Sequence, residues 1–323
     1  MLYELAYPFL IVITASRHLL RIARRQAACI TPQHRSSWSR SYKARLRRVD
    51  LNLLTALHPG AGAWLALHRF ERMSAPASAK SGTLPIDRLV ITTCGVLAFR
   101  FAGNTRGPRV LLLHGWNADG SMMLPLATAL ADAGAWVVYP DLPGEGSSIS
   151  LPMPFHKKGR IIADHCAKFG PFDCVIGHSA GGLIAAIAIE AGLETRKLVT
   201  VCSPTSLSTL LLAYLSQTGA PLRLHQYIED VYQRLYGHAA NLIGPVTFAR
   251  LKANLLVTHA KRDWQVLMEE AHAILAATDG ATAVFLDGCN HRSILSHPDL
   301  WRSVIAFLDS PGDRDRSDHA HTV

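Results

Sequence analysis

Between Arg88 and Leu286 the chain repeats one pattern, a short apolar run followed by a longer stretch with helical spacing. The runs are RLVITT from Arg88, VLAFRF from Val96, RVLLLH from Arg109, AWVVYPD from Ala135, CVIGH from Cys174, KLVTVC from Lys197, NLLVTH from Asn254 and ATAVFL from Ala281. From the third run onward most precede helix-compatible segments such as MMLPLATALADA and GLIAAIAIEA. Apolar strands alternating with helices predict a mostly parallel α/β sheet with helices on both faces. The gap between KLVTVC and NLLVTH is too long for a bare connection, and its content (LLLAYLSQ, HQYIEDVYQRLY) is helical. It reads as a small helical cap inserted at about residues 205–250.

Ahead of this pattern the chain reads differently. Asp50 is an expected N-cap before LNLLTALH, and a further helical piece follows Pro59-Gly60. SAPASAKSGTLP, from Ser74 to Pro85, has the small, polar, proline-punctuated composition of a linker. The expected division is therefore a basic helical extension with its linker over 1–85, an α/β domain over 86–309, and a polar tail over 310–323.

Composition alters this picture at two points. Hydrophobic residues make up 49% and charged residues 18% of the 323, ample for a buried core. The formal charge of +9 would invite a nucleic-acid reading, but its excess is concentrated between Arg17 and Arg48, a segment without Asp or Glu. No aromatic-basic stripe accompanies it, so nucleic acid is not the expected partner. Two other readings of the arm stay open: a solvated helical face packed on the body, and peripheral contact of residues 9–48 with an anionic membrane. The apolar run from Phe9 to Ala15 is too short to span a bilayer, and Glu4 precedes it where a secretory signal carries positive charge. The six cysteines show no C-x-x-C spacing, which fits reduced thiols and a cytoplasmic location.

The strongest chemical signal is Gly177-His178-Ser179-Ala180-Gly181, set between the apolar run FDCVI and the helical run GLIAAIAIEA. A sharp strand-to-helix turn lifts a serine Oγ clear of a sheet, and small flanking residues let the turn close. G-x-S-x-G alone is modest evidence, arising by chance in roughly one chain of this length in ten; the strand–turn–helix context gives it weight. Upstream, His114-Gly115-Trp116 ends another strand, so the backbone N–H groups of Trp116 and Ala180 form an expected oxyanion hole. His114 itself reads as a structural loop histidine. A base and an orienting acid follow in the order Ser179, Asp263, His291, with His291 in the loop after the last strand. The plain alternatives are a helix-start serine, an N-cap aspartate and a surface histidine.

These motifs (LLLHGW, DLPGEGSS, GHSAG, and HAKRDWQV with NHRSILSHP) resemble, in order, those of the α/β-hydrolase superfamily, over about Leu89 to Leu308. The likeness is to small bacterial esterase, thioesterase and peptidase-like members. It implies a serine hydrolase that cleaves a carboxylic ester or thioester of a small-molecule acyl substrate through an acyl-enzyme, with no cofactor; the sixteen histidines form no H-E-x-x-H or other compact ligand set, so no metal is expected. A serine at the elbow, where dehalogenases and epoxide hydrolases carry aspartate, argues against those chemistries. The resemblance also implies that Asp141 orders its turn rather than reacting. The chain departs from the family pattern at Ala260, often acidic, and at Leu267, often proline. An amide hydrolase with the same triad and a non-catalytic ligand-binding relative remain the alternatives.

Overall fold

The computed structural model of the chain describes residues 49–72, 90–91, 96–148 and 152–310. The basic segment 9–48, the linker from Ser74 to Pro85 and the tail beyond Ser310 lie outside them. Each apolar run yields a strand: β1 (Val90–Ile91), β2 (Ala98–Gly103), β3 (Arg109–Leu113), β4 (Trp136–Pro140), β5 (Cys174–His178), β6 (Lys197–Val201), β7 (Asn254–Ala260) and β8 (Thr282–Leu286). They form one sheet in the order β1-β2-β4-β3-β5-β6-β7-β8. β2 pairs antiparallel with β1 and β4, and every other pair is parallel.

The runs lack polar alternation because both faces of the sheet are covered. In β3, Leu111 and Leu113 enter one core and Val110 and Leu112 the other; in β5, Val175 opposes Cys174 and Ile176 in the same way. The helices are α1 (Pro59–Glu71), α2 (Leu124–Asp132), α3 (Phe155–Cys166), α4 (Ala180–Glu190), α5 (Leu207–Thr218), α6 (Leu224–Tyr236), α7 (Pro245–Ala249), α8 (Met268–Ala277) and α9 (Pro298–Asp309). α2 and α9 supply Leu126, Leu130, Leu300 and Val304 to one face, while α3, α4 and α8 pack on the other. α4 is buried on all sides from Ala180 to Ala188, as a helix apolar all round must be. α5, α6 and α7 fill the connection between β6 and β7.

Two expectations for the N-terminal region change. Asp50 lies inside a helical stretch over residues 49–57 instead of capping it. The compact unit that holds the sheet begins at Leu51, not near residue 86. The cause is α1, whose apolar positions Ala63, Ala66, Leu67 and Phe70 form one stripe at helical spacing and are buried in the core.

β3 and β5 are neighbours in the sheet, with Leu113 opposite Gly177, although β4 intervenes in the chain and lies on the far side of β3. The chain thus reverses direction across the sheet at this point, which opens a crevice at the carboxyl ends of the strands.

Candidate active site

Ser179 stands between β5 and α4 with φ 55° and ψ −127°, a conformation L-residues rarely adopt. The turn closes because its flanks are bare: a Cβ on Gly177 would collide with the Gly181 backbone, and one on Gly181 with the carbonyl of Leu113. Ser179 N–H donates to the Val201 carbonyl at 2.8 Å. Gly182 N–H turns back to the Ser179 carbonyl at 3.0 Å, while the N–H groups ahead of it in the first turn of α4 have no intrahelical acceptors. Gly115 lies against the elbow, 3.1 Å from Ser179 Cβ to the Cβ that a larger residue would carry. Asn117 and Cys202 also have positive φ, 56° and 50°. Strained backbone therefore gathers around the crevice.

His291 Nδ1 lies 2.6 Å from Asp263 Oδ2, and both side chains are buried. A carboxylate accepts, so Nδ1 carries the proton and the Nε2 lone pair is left free. The other oxygen of Asp263 accepts the N–H groups of Gln265 (2.8 Å) and Val266 (3.1 Å). Burial pushes the Asp263 carboxyl up, but His291 and those two N–H groups outweigh it and hold the group below its ordinary range. The departures at Ala260 and Leu267 leave this pairing intact. Asp287, four residues before His291 in the chain, instead pairs with Lys261 at 2.7 Å on the surface. Ser179, His291 and Trp116 line one small cleft with His178, Leu210 and Gln265.

Further polar groups brace this arrangement, and sequence reasoning missed them. Nε2–H of His178 donates to the His291 carbonyl at 2.7 Å. Burial, followed by the neighbouring His291, pushes the His178 imidazole down to about 3, so it is neutral. Nε2–H of His259 donates to the Val266 carbonyl at 2.9 Å, behind Asp263. The only earlier sign of either was a histidine closing an apolar strand run.

The expected structural residues behave as such. His114 Nε2 accepts the Leu142 N–H at 2.8 Å, while Nδ1–H donates to the Gly115 carbonyl at 2.8 Å. This histidine ties the HGW turn to the DLPGEGSS turn. Asp141 accepts the N–H groups of Gly120 (2.6 Å) and Ser147 (2.7 Å) and pairs with Arg100.

Among the described residues, Cys202, Asp263 and His291 bring their possible metal-ligating atoms within 4.8 Å of one another. Two of these are already hydrogen-bonded together. Burial and the adjacent Asp263 push the Cys202 thiol well above its ordinary value, so it is a poor source of the thiolate that metals bind. Cys166, Cys174, Cys202 and Cys289 are all free thiols.

The model of the alpha/beta hydrolase family matches residues 110–304. The chain belongs to that family. Among curated relatives, it is 40% identical over 81 residues to a pimeloyl-[acyl-carrier protein] methyl ester esterase of Chromobacterium violaceum, covering 25% of this chain and 30% of the relative. It is 36% identical over 125 residues to the magnesium-chelatase 30 kDa subunit of Rhodobacter capsulatus, covering 37% and 39%. The matches thus span less than two fifths of either relative's length. Among solved structures, esterase RhEst1 from Rhodococcus sp. ECU1013 superposes with a TM-score of 0.53 at 21% identity, over 69% of this chain and 98% of that one. An esterase from Exiguobacterium antarcticum gives 0.53 at 16%, over 70% and 100%. At these identities the superpositions speak for the fold.

Proposed function

We propose that this alpha/beta hydrolase cleaves a carboxylic ester or thioester through an acyl-enzyme on Ser179. The observation that carries the reading is the buried His291–Asp263 hydrogen bond of 2.6 Å, made by a histidine that lines the same cleft as Ser179. Asp263 fixes the imidazole tautomer, so His291 Nε2 can take the Ser179 proton as Oγ attacks the carbonyl carbon. The tetrahedral oxyanion is held by the backbone N–H groups of Trp116 and Ala180. As the bond to the leaving group breaks, His291 returns the proton to the departing oxygen or sulfur. A water molecule then attacks the acyl-enzyme, giving up its proton to His291, and the acid departs as Ser179 regains its own.

The methyl ester esterase among the curated relatives favours an ester over an amide reading, and four buried free thiols fit a reducing, cytoplasmic setting. Ser179→Ala tests the reading. The variant is expected to melt like the parent yet lose p-nitrophenyl ester hydrolysis and fluorophosphonate labelling. Esterase activity retained in the pure variant rejects Ser179 as nucleophile. A parent that cleaves only amides in the same assay rejects the ester assignment.

A further inference from the structure

Deepening that reading, we infer that Phe70, on a helix outside the family-matched span, closes the acyl side of the cleft and restricts the substrate to short acyl groups on larger leaving groups.

The cleft beside Ser179 has a volume of about 80 Å³. At the 10–15 Å³ that a water-sized group needs by this measure, it holds roughly five to eight heavy atoms. The scissile carbonyl takes part of that space, leaving room for a chain of only a few carbons. A second, larger groove of about 420 Å³ shares Asn117, Met122 and Arg292 with the cleft and continues along Leu295 and Ser296. Arg292 immediately follows His291, and Leu295 and Ser296 come four and five positions after it. Because His291 must protonate the leaving atom, the leaving group lies on the histidine's side, in this groove. The acyl chain points the other way, toward Trp116 of the HGW turn and Leu210 and Ala213 of α5.

What stops it there is a triangle of aromatic rings from three separate segments. Phe70 at the end of α1 stacks on Trp116, with centroids 5.5 Å apart and planes 18° from parallel. Tyr214 of α5 lies 5.4 Å from each of them. The Trp116 indole N–H donates to the Phe70 carbonyl at 3.4 Å, fixing the ring's orientation. Phe70 and Tyr214 are each 3% exposed, whereas Trp116 also lines the cleft. Phe70 is therefore the backstop: with its ring in place, Trp116 cannot lean away from the acyl group. α1 is held against the cap by the Tyr236 hydroxyl, which donates to Glu71 Oε2 at 2.8 Å.

The test is the ratio of kcat/KM for p-nitrophenyl octanoate to that for the acetate, in the full chain and in its Phe70→Ala and Phe70→Leu variants. The parent is expected to favour acetate and butyrate, with octanoate at least tenfold poorer. Phe70→Ala is expected to raise the octanoate-to-acetate ratio at least tenfold, and Phe70→Leu to raise it less. A parent that favours octanoate overturns the inference, as does an unchanged ratio in either variant that melts cooperatively. Should neither variant fold, the parent's profile decides: a fall beyond butyrate supports the backstop and a flat profile rejects it. A parent that hydrolyses no ester and resists fluorophosphonate overturns the esterase reading and this inference together, whereas an active parent with an unmoved ratio overturns this inference alone.

Discussion

His178 precedes the nucleophile by one position, yet its hydrogen bond reaches the loop that carries His291. It is a neutral, buried donor to a backbone carbonyl, and the two imidazoles sit 4.8 Å apart. We read it as a positioning residue: the elbow that presents the serine also sets where the base stands. A net hydrogen bond is worth about 1 kcal/mol, so loss of register would cost roughly fivefold in rate. His178→Leu is expected to lower kcat by about that factor with little change in KM, and His178→Gln, whose amide N–H can reach the same carbonyl, to restore most of it. Equal kcat in both variants, with only the melting temperature reduced, would mean that the residue merely fills space. Ser179, Asp263 and His291 can be nominated from the sequence because each follows a strand in a distinctive local frame, and because their order in the chain is informative. His178 and His259 cannot. Their roles depend on contacts across the sheet, and nothing in the residues beside them in sequence encodes those partners.

The inner strands β3 to β7 could be read from the chain because burial on both faces leaves an unmistakable run of apolar residues. α1 was legible as a helix, and its stripe from Ala63 to Phe70 marks a buried face. What covers that face could not be read, because the partners lie far along the chain in Trp116, Tyr214 and Tyr236. The contact between α1 and α6 has a consequence for stability. Burial pushes the Glu71 carboxyl up to about 7, against the opposing pull of the Tyr236 hydroxyl and Lys158. Its second oxygen, Oε1, has no hydrogen-bond partner. Between its ordinary value of 4.5 and about 7, the folded chain holds a proton that the unfolded chain has released. Glu71 therefore makes stability fall as pH rises through that window, and the loss persists above it. Glu71→Gln keeps an acceptor for Tyr236 and removes the charge. The variant is expected to melt above the parent at pH 8 and close to it at pH 4, in thermal scans at fixed ionic strength. A gap between the two proteins that does not change with pH would show that Glu71 is not the titrating group.

At the scale of the whole chain the question is what the segment 9–48 does, since its ten Lys and Arg (all between Arg17 and Arg48) carry the excess charge that the rest of the chain lacks. No helix among the described residues is long and apolar enough to cross a membrane. The sequence supports a proposal of peripheral contact with an anionic surface: the apolar run from Phe9 to Ala15 is followed by Leu19, Leu20 and Ile22 interleaved with Arg17, Arg21, Arg24 and Arg25. Each basic residue near such a surface contributes about 1 kcal/mol. The attraction must weaken with salt, as the screening length shrinks from about 10 Å at 0.1 M to 3 Å at 1 M. The fold decides where the comparison chain has to start. A chain beginning at Ser74 would lose α1 and its buried stripe, confounding membrane contact with unfolding, whereas one beginning at Val49 retains the whole compact unit from Leu51. In flotation with vesicles of rising anionic-lipid content, the full chain is expected to float increasingly at 0.1 M salt and to be released at 1 M, while the chain from Val49 stays at the bottom. Equal behaviour of the two chains at low salt would reject the membrane proposal. The arm would then revert to a face packed on the hydrolase body, and its removal should instead lower the melting temperature.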